Sequence, residues 1–194
     1  MIEIYAQNMG CIYFAIAISQ QKILVSTFSI DQKTALNNIL DNLPFSTPFQ
    51  FFHKPSAQAR TALLALKDIY DGKDATINLS LATSDLPAYN RKVLNATASI
   101  PVGYVTSYGA IAKAVGGGAR AVGKAMACNL FAPIVPCHRV VKSNLGLGGY
   151  AGGLQVKLEF LSREKRGFES PRTVEVNGAA LEVFPVEYVL KKYV

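Results

Sequence analysis

The chain has 194 residues, half of them apolar, and a formal charge of +7, enough to bury a sizeable core in one large domain or two small ones and unlike a disordered chain. No apolar run approaches the roughly 18 to 20 residues that cross a bilayer, and the N-terminus MIEIYAQNMG opens with an acid rather than a basic n-region. A membrane protein and a secreted one are therefore not expected, and a cytoplasmic location is.

The charge is unevenly placed. Residues 1–95 carry eight Lys/Arg against seven Asp/Glu, whereas residues 96–194 carry twelve against six. From Leu86 to Leu158 there is no acidic residue, while Arg91, Lys92, Lys113, Arg120, Lys124, Arg139, Lys142 and Lys157 all fall there. Scattered lysines can merely solubilise a surface, but an acid-free window of this length suits a polyanion such as DNA.

In chain order, IEIYAQ, CIYFAIAIS and KILVSTFSI are β-rich runs separated by polar or glycine breaks, the pattern of a small antiparallel meander. DQKTALNNILDNL and SAQARTALLALKDIYDG follow with apolar residues three or four apart, and Asp31 and Ser56 stand where helix caps belong. ATINLSL reads as one more strand. The cluster ATSDLPAYNR, with Pro87, interrupts both periods where the acids stop and marks a domain boundary near residue 85.

Beyond it, Tyr89 to Thr97 reads as a helix, and TSYGAIAKAVGGGARAVGKAMACN as helix, three glycines, helix, a helix-turn-helix pattern. The second helix is rich in Ala and Gly, with Arg120 and Lys124 four residues apart. Helical hairpins of this kind also pack tightly in cores; the glycine turn and the basic pair favour a helix that enters a DNA groove. Near the end, VEVNGAALEVFPVEYVLKKYV is too apolar for a disordered tail and is expected to be ordered, on its own chain or exchanged with a second copy.

Three cysteines, an odd number and no secretory signal argue for free thiols rather than a disulfide framework. Cys11 and Cys128 read as small buried hydrophobes. Cys137 differs: in IVPCHRVV it follows Pro136 and is flanked by His138 and Arg139, which can lower a thiol pKa. Neighbours on a helical turn do not face one another, so His138 would act through a water or a second group, with a carboxylate to orient it. Taken alone, the pair also fits a structural histidine beside a core thiol.

Four motifs in order, IPVGYVTSYGAIA, ARAVGKAMACN, PCHRVV and GGYAGGLQVKLEFLSRE, resemble the O6-alkylguanine-DNA alkyltransferases, the methylated-DNA–protein-cysteine methyltransferases, over residues 89–166. The resemblance implies an α+β chain. By that resemblance residues 1–85 would form an RNase H-like domain with a small antiparallel sheet and helices, and residues 86–166 a mainly helical catalytic and DNA-binding domain with a helix-turn-helix. Residues 167–194 are an extension without a counterpart. It makes Cys137 the nucleophile and alkyl acceptor, His138 its partner through water, Glu164 the carboxylate that orients His138, Asn129 the brace of the nucleophile's turn, and Tyr108 the donor to the departing guanine. The carbonyls of Cys137 and Val140 would receive the guanine amino group, Tyr150 and Ala151 would lie near O6, and Lys157 near the thiol. Arg120 would fill the stack vacated by a flipped base, and Ser107, Ala119, Lys124 and Arg139 would contact DNA.

The partner implied is double-stranded DNA carrying O6-alkylguanine, bound by a monomer with no cofactor and no metal. One departure stands out: the family commonly reads Asn-Pro-x-Pro before the thiol, where NLFAP keeps only the shifted Pro133. Two other functions fit parts of the sequence. A DNA-binding regulator would account for the charge and the helix-turn-helix but not for Cys137 with His138 and Glu164. A cysteine hydrolase would use Cys137 but lacks a second histidine other than His53, and a zinc site has too few ligands at usable spacings.

Overall fold

The computed structural model describes every residue except Phe45, Thr76, Asn78 and Val194. The chain divides into two units. The first comprises residues 1–69, 74–85 and 130–134, the second residues 70–73, 86–129 and 135–194.

In the first unit, β1 (Ile2–Met9), β2 (Ile12–Ser19) and β3 (Lys22–Ser29) form the antiparallel meander. β4 (Phe49–Phe52) adds parallel to β1 and β5 (Ser80–Leu81) parallel to β3, giving the order β4-β1-β2-β3-β5. The expected strand ATINLSL is thus paired at Ser80–Leu81, and its Thr76 and Asn78 lie outside the described residues. Because side chains alternate along a strand, Ile4, Ala15, Ala17 and Val25 share one face and pack with Ala35 and Ile39 of α1 (Gln32–Leu40), while Phe14, Ile16 and Ile18 are buried on the other. Asp31 caps α1 by accepting from the Thr34 N–H, and the Ser56 hydroxyl accepts from the Ala59 N–H at the start of α2 (Ala57–Tyr70).

Residues 130–134 belong to this unit although they lie between the second helix of the hairpin and Cys137. The Ser26 N–H donates to the Leu130 carbonyl at 2.9 Å, its hydroxyl donates to the Ala132 carbonyl at 3.0 Å, and Phe131 is fully buried. Backbone pairing to β3 thus supplies restraint to NLFAP where the family's extra proline is absent.

In the second unit, α3 (Ala88–Ala98) precedes β6 (Tyr104–Ser107), α4 (Tyr108–Val115) and α5 (Ala119–Ala127). The turn between α4 and α5 needs glycine. Gly117 has φ +89°, and a Cβ there would meet the Tyr89 hydroxyl at 2.7 Å and its ring at 3.0 Å. After the single 3-10 turn Cys137–Arg139 come β7 (Val140–Val141) and α6 (Leu154–Arg163).

The last residues are ordered on their own chain. β8 (Arg172–Val176) and β9 (Ala179–Pro185) make a hairpin around Asn177 and Gly178, both with positive φ, and β9 pairs antiparallel with β6 in a sheet of order β7-β6-β9-β8. α7 (Val186–Leu190) follows, and its Val186, Val189 and Leu190 are buried with Val105, Val141, Leu147 and Leu161. The side chain of Glu187 accepts from the Arg166 and Gly167 N–H groups where the extension begins. The helical domain with its helix-turn-helix is therefore completed by a small mixed sheet, half of which the extension supplies.

The extension is consequently part of this unit's core. Leu190→Ala is expected to lower unfolding stability by about 2–5 kcal/mol, the usual cost of truncating a buried leucine, as read by urea denaturation. A loss below about 0.5 kcal/mol, typical of surface positions, would show the helix to be only loosely attached.

Candidate active site

Parallel pairing of β6 with β7, Thr106 against Val140 and Ser107 against Val141, sets the motif GYVTSYG beside PCHRVV. Tyr108 therefore starts α4 next to the turn that carries the thiol. Ser107 is the N-cap of α4, its hydroxyl accepting from the Ala110 N–H at 3.0 Å. The Cys137 turn is fixed locally: the Cys137 N–H donates to the Val135 carbonyl, the Arg139 N–H to the Pro136 carbonyl, and Asn129 Nδ2 to the Val135 carbonyl at 2.9 Å. The Asn129 side chain also hydrogen-bonds the thiol.

Behind the turn lies a buried cluster of His138, Arg139 and Glu164. Glu164 caps the C-terminal end of α6, where a carboxylate is disfavoured by the helix dipole. Two partners offset this. His138 Nε2 lies 2.8 Å from Glu164 Oε1, and Arg139 donates through Nε and Nη2 to the same carboxylate at 2.8–3.1 Å. Arg139 Nη1 donates to the Ile100 carbonyl at 2.6 Å. Burial alone would raise the Glu164 carboxyl, but the His138 imidazole and the Arg139 guanidinium more than offset it and hold it down at about 2. An ionised carboxylate only accepts, so His138 Nε2 carries the proton that it donates.

Burial holds the His138 pKa below its usual range despite Glu164, with the Arg139 and Lys157 charges adding to that effect. Near neutral pH the ring is uncharged, protonated on Nε2 and basic on Nδ1. Nδ1 is buried with no partner among the described residues. The ring itself is held by Phe160, stacked on it at 4.4 Å between centroids.

Two expectations are corrected here. Arg139 does not face solvent, because its guanidinium is engaged by Glu164, so it is not available to a phosphate. Nor do the flanking residues lower the thiol pKa: burial pushes the Cys137 thiol up, and Asn129, the Lys157 ammonium and the peptide N–H groups of Cys137 and His138 oppose this without reversing it. Arg139 is neutralised and His138 is uncharged, so neither supplies the cation that the sequence suggested.

Lys157 is fully buried and donates to three carbonyls, those of Val140 and Leu147 at 2.6 Å and of Gly149 at 3.2 Å. Burial lowers its pKa to about 8, with Cys137 opposing, so it remains largely protonated at neutral pH. The Val140 carbonyl thus already accepts one bond from Lys157, and the Cys137 carbonyl one from the Val140 N–H; each keeps a second lone pair. The Tyr108 hydroxyl donates to the Gly149 carbonyl at 3.3 Å, and its ring lies 5.9 Å from Lys157 Nζ. Burial, then Cys137, raises the Tyr108 pKa, which keeps it a proton donor. Tyr150 is likewise raised well above its usual value by burial, Cys137 and Glu164, while Ala151 is exposed.

α5 turns Val122, Ala125 and Met126 inward and leaves Ala119, Arg120, Ala121 and Lys124 exposed, a face of small side chains with two cations. Lys157 and Arg139 are internal, so two of the eight cations in the acid-free window do not contribute to that surface. Cys11 and Cys128 are exposed, not buried: Cys11 sits in the β1–β2 turn and Cys128 caps α5 beyond its inward stripe. His53 is exposed in the first unit.

Phe160 escaped the sequence reasoning. Its signal was the spacing Lys157, Phe160, Glu164, three and four residues apart, which puts a cation, a ring and a carboxylate on one face of α6.

The depressed Glu164 pKa has a stability consequence. A carboxyl held at about 2 when folded, against 4.5 unperturbed, adds stability that is fully present above pH 4.5 and is lost as pH falls towards 2. Glu164→Gln leaves Arg139 buried without a counter-charge and is expected to cost about 3–5 kcal/mol at pH 7. Denaturation of both proteins from pH 7 to 2.5 should show that gap narrowing below pH 4.5; a constant gap would mean that the carboxylate is not held by its charge.

Residues 88–166 match the family model for the 6-O-methylguanine DNA methyltransferase DNA-binding domain. The chain is 40% identical over 114 residues to a methylated-DNA–protein-cysteine methyltransferase of Methanosarcina acetivorans, covering 58% of this chain and 67% of that one. It is 33% identical over 111 residues to the protein of that name from Methanothermobacter thermautotrophicus, covering 57% and 63%. The aligned part thus spans about two thirds or less of these relatives. A crystal structure of Mycobacterium tuberculosis OGT in complex with DNA superposes with a TM-score of 0.65 at 26% identity, covering 84% of this chain and 92% of that one. With the order of motifs, the helix-turn-helix and the Asn129, Cys137, His138 and Glu164 constellation, these likenesses show that the chain belongs to the methylated-DNA–protein-cysteine methyltransferase family.

Proposed function

We propose that the protein repairs DNA by direct reversal, moving the alkyl group of O6-alkylguanine in duplex DNA to its own Cys137, once, as a cytosolic monomer without a cofactor. One observation carries this reading: His138 is fixed by an ionised carboxylate so that a bare, buried nitrogen is presented in the turn of a thiol that burial keeps protonated. Such a thiol needs a base at the moment of attack, which His138 provides through a water.

The chemistry follows from the groups present. The thiol proton passes to His138 Nδ1 and the resulting imidazolium is stabilised by Glu164. The thiolate attacks the sp³ carbon in line, the S–C bond forms, the C–O bond breaks, and its electron pair stays on guanine. Tyr108, held protonated by its surroundings, offers its hydroxyl proton to the departing ring. The product at Cys137 is a thioether with no carbonyl for water to attack, so the protein is consumed.

The target atom lies inside the duplex, and reaching it requires extruding the nucleotide at a cost of a few kcal/mol. The exposed small-residue face of α5 suits close approach to a groove, with Arg120 as the side chain that replaces the extruded base and Lys124, Ala119 and Ser107 alongside. The exposed position of His53 in the first unit gives no support to a hydrolase.

A crossed pair of variants tests the assignment. Arg120→Ala should slow repair of duplex O6-methylguanine at least about tenfold, the equivalent of 1.4 kcal/mol of lost stacking compensation, and leave reaction with free O6-benzylguanine within about twofold. Tyr108→Phe should slow both substrates. Equal Arg120→Ala defects on free base and duplex would mean that the arginine shapes the pocket rather than filling the helix.

A further inference from the structure

We propose that Tyr193, in the C-terminal extension, is a positioning residue for the active site, acting through Leu147 on Lys157. The inference rests on the alkyltransferase reading but concerns a part of the chain, residues 167–194, beyond the matched family domain.

The loop between β7 and α6 is held from two sides at once. On the side of the extension, the Tyr193 hydroxyl accepts from the Leu147 N–H at 3.0 Å, and Lys192 Nζ donates to the Asn144 carbonyl. The Leu147 side chain is buried against Val186, Val189 and Leu190 of α7. On the side of the thiol, the carbonyls of Leu147 and Gly149 accept from Lys157, and Gly149 also accepts from Tyr108. One residue, Leu147, therefore carries the tie to the extension on its N–H and the tie to the buried ammonium on its carbonyl.

Among the described residues that ammonium donates to three carbonyls and to no carboxylate, and two of the carbonyls belong to this loop. Its location sets its distance to Cys137, whose thiolate it favours, and to the Tyr108 ring. The base is fixed independently of this loop, because the His138, Arg139 and Glu164 cluster is held by its own bonds; Tyr108 and Tyr150 touch or belong to the loop but are also held by α4 and by Phe160. Loosening Leu147 thus moves a cation that favours the thiolate while leaving the base in place. The extension reaches the other side of the site as well, through the pairing of β9 with β6 just ahead of Tyr108 and the Thr106 hydroxyl donating to the Glu182 carbonyl at 2.6 Å.

The test is Tyr193→Phe in the full-length chain, which keeps the ring and removes the hydroxyl. The control is Tyr188→Phe, which removes a comparable hydrogen bond of the extension, from the Tyr188 hydroxyl to the Glu169 carbonyl, neither of which belongs to the loop. Alkylation of Cys137 by iodoacetamide is followed against pH, and transfer from free O6-benzylguanine is timed. For Tyr193→Phe the alkylation profile should move to higher pH and the transfer rate should fall about two- to tenfold, the range of one lost hydrogen bond; Tyr188→Phe should do neither. An unchanged profile in Tyr193→Phe, or an equal shift in both variants, overturns the proposal. If the wild type transfers no alkyl group, either from free O6-benzylguanine or from duplex O6-methylguanine, the alkyltransferase reading fails, and the alkylation profiles still decide whether Tyr193 controls the thiol.

Discussion

The ion pair between Arg139 and Glu164 is the constraint on which the site depends. It allows a carboxylate to remain charged in the interior at the unfavourable end of α6, and that charge fixes the proton of His138 on Nε2 and leaves Nδ1 basic. Without Arg139 the effect of burial would be opposed by His138 alone, and a carboxyl that took up a proton could donate to the ring and reverse its tautomer. The residue after the histidine in PCHRV thus serves the chemistry from within, through two guanidinium nitrogens on one carboxylate and a third on the Ile100 carbonyl.

A second set of contacts gathers the substrate side. Lys157, buried and surrounded by carbonyls, ties β7 to the Leu147–Gly149 loop, and Tyr108 reaches the same loop from α4. The thiol therefore stands between a neutral base and a buried cation, while its own burial keeps it protonated. This arrangement suits the single reaction proposed for Cys137: a resting thiolate would be exposed to oxidation and to stray electrophiles, whereas a thiol ionised only during attack is spared. The extension completes the unit that holds this loop.

Much of this was legible in the sequence because it is carried by local spacing. The meander, the capped helices at Asp31 and Ser56, the glycine turn between α4 and α5 and the Cys137 motif all depend on residues a few positions apart. What was not legible depends on which way a side chain turns. Arg139 looked like one more cation in an acid-free window, yet its partner Glu164 is 25 residues away, and only the fold brings the two together. Cys11 and Cys128 lie next to apolar runs but fall at a turn and a helix end, where the apolar face has already passed. The pairing of residues 130–134 with β3, and of β9 with β6, are long-range contacts that no periodicity announces.

The central claim is that Cys137 is the covalent acceptor of an alkyl group from DNA. Incubating the protein with excess duplex containing O6-methylguanine, then taking the intact mass and a peptide map, tests it most directly. The account predicts a gain of one methyl group per protein molecule, located on Cys137, with the guanine restored and no further turnover. Restored guanine in excess over protein, or a methyl group on any other residue, would contradict it.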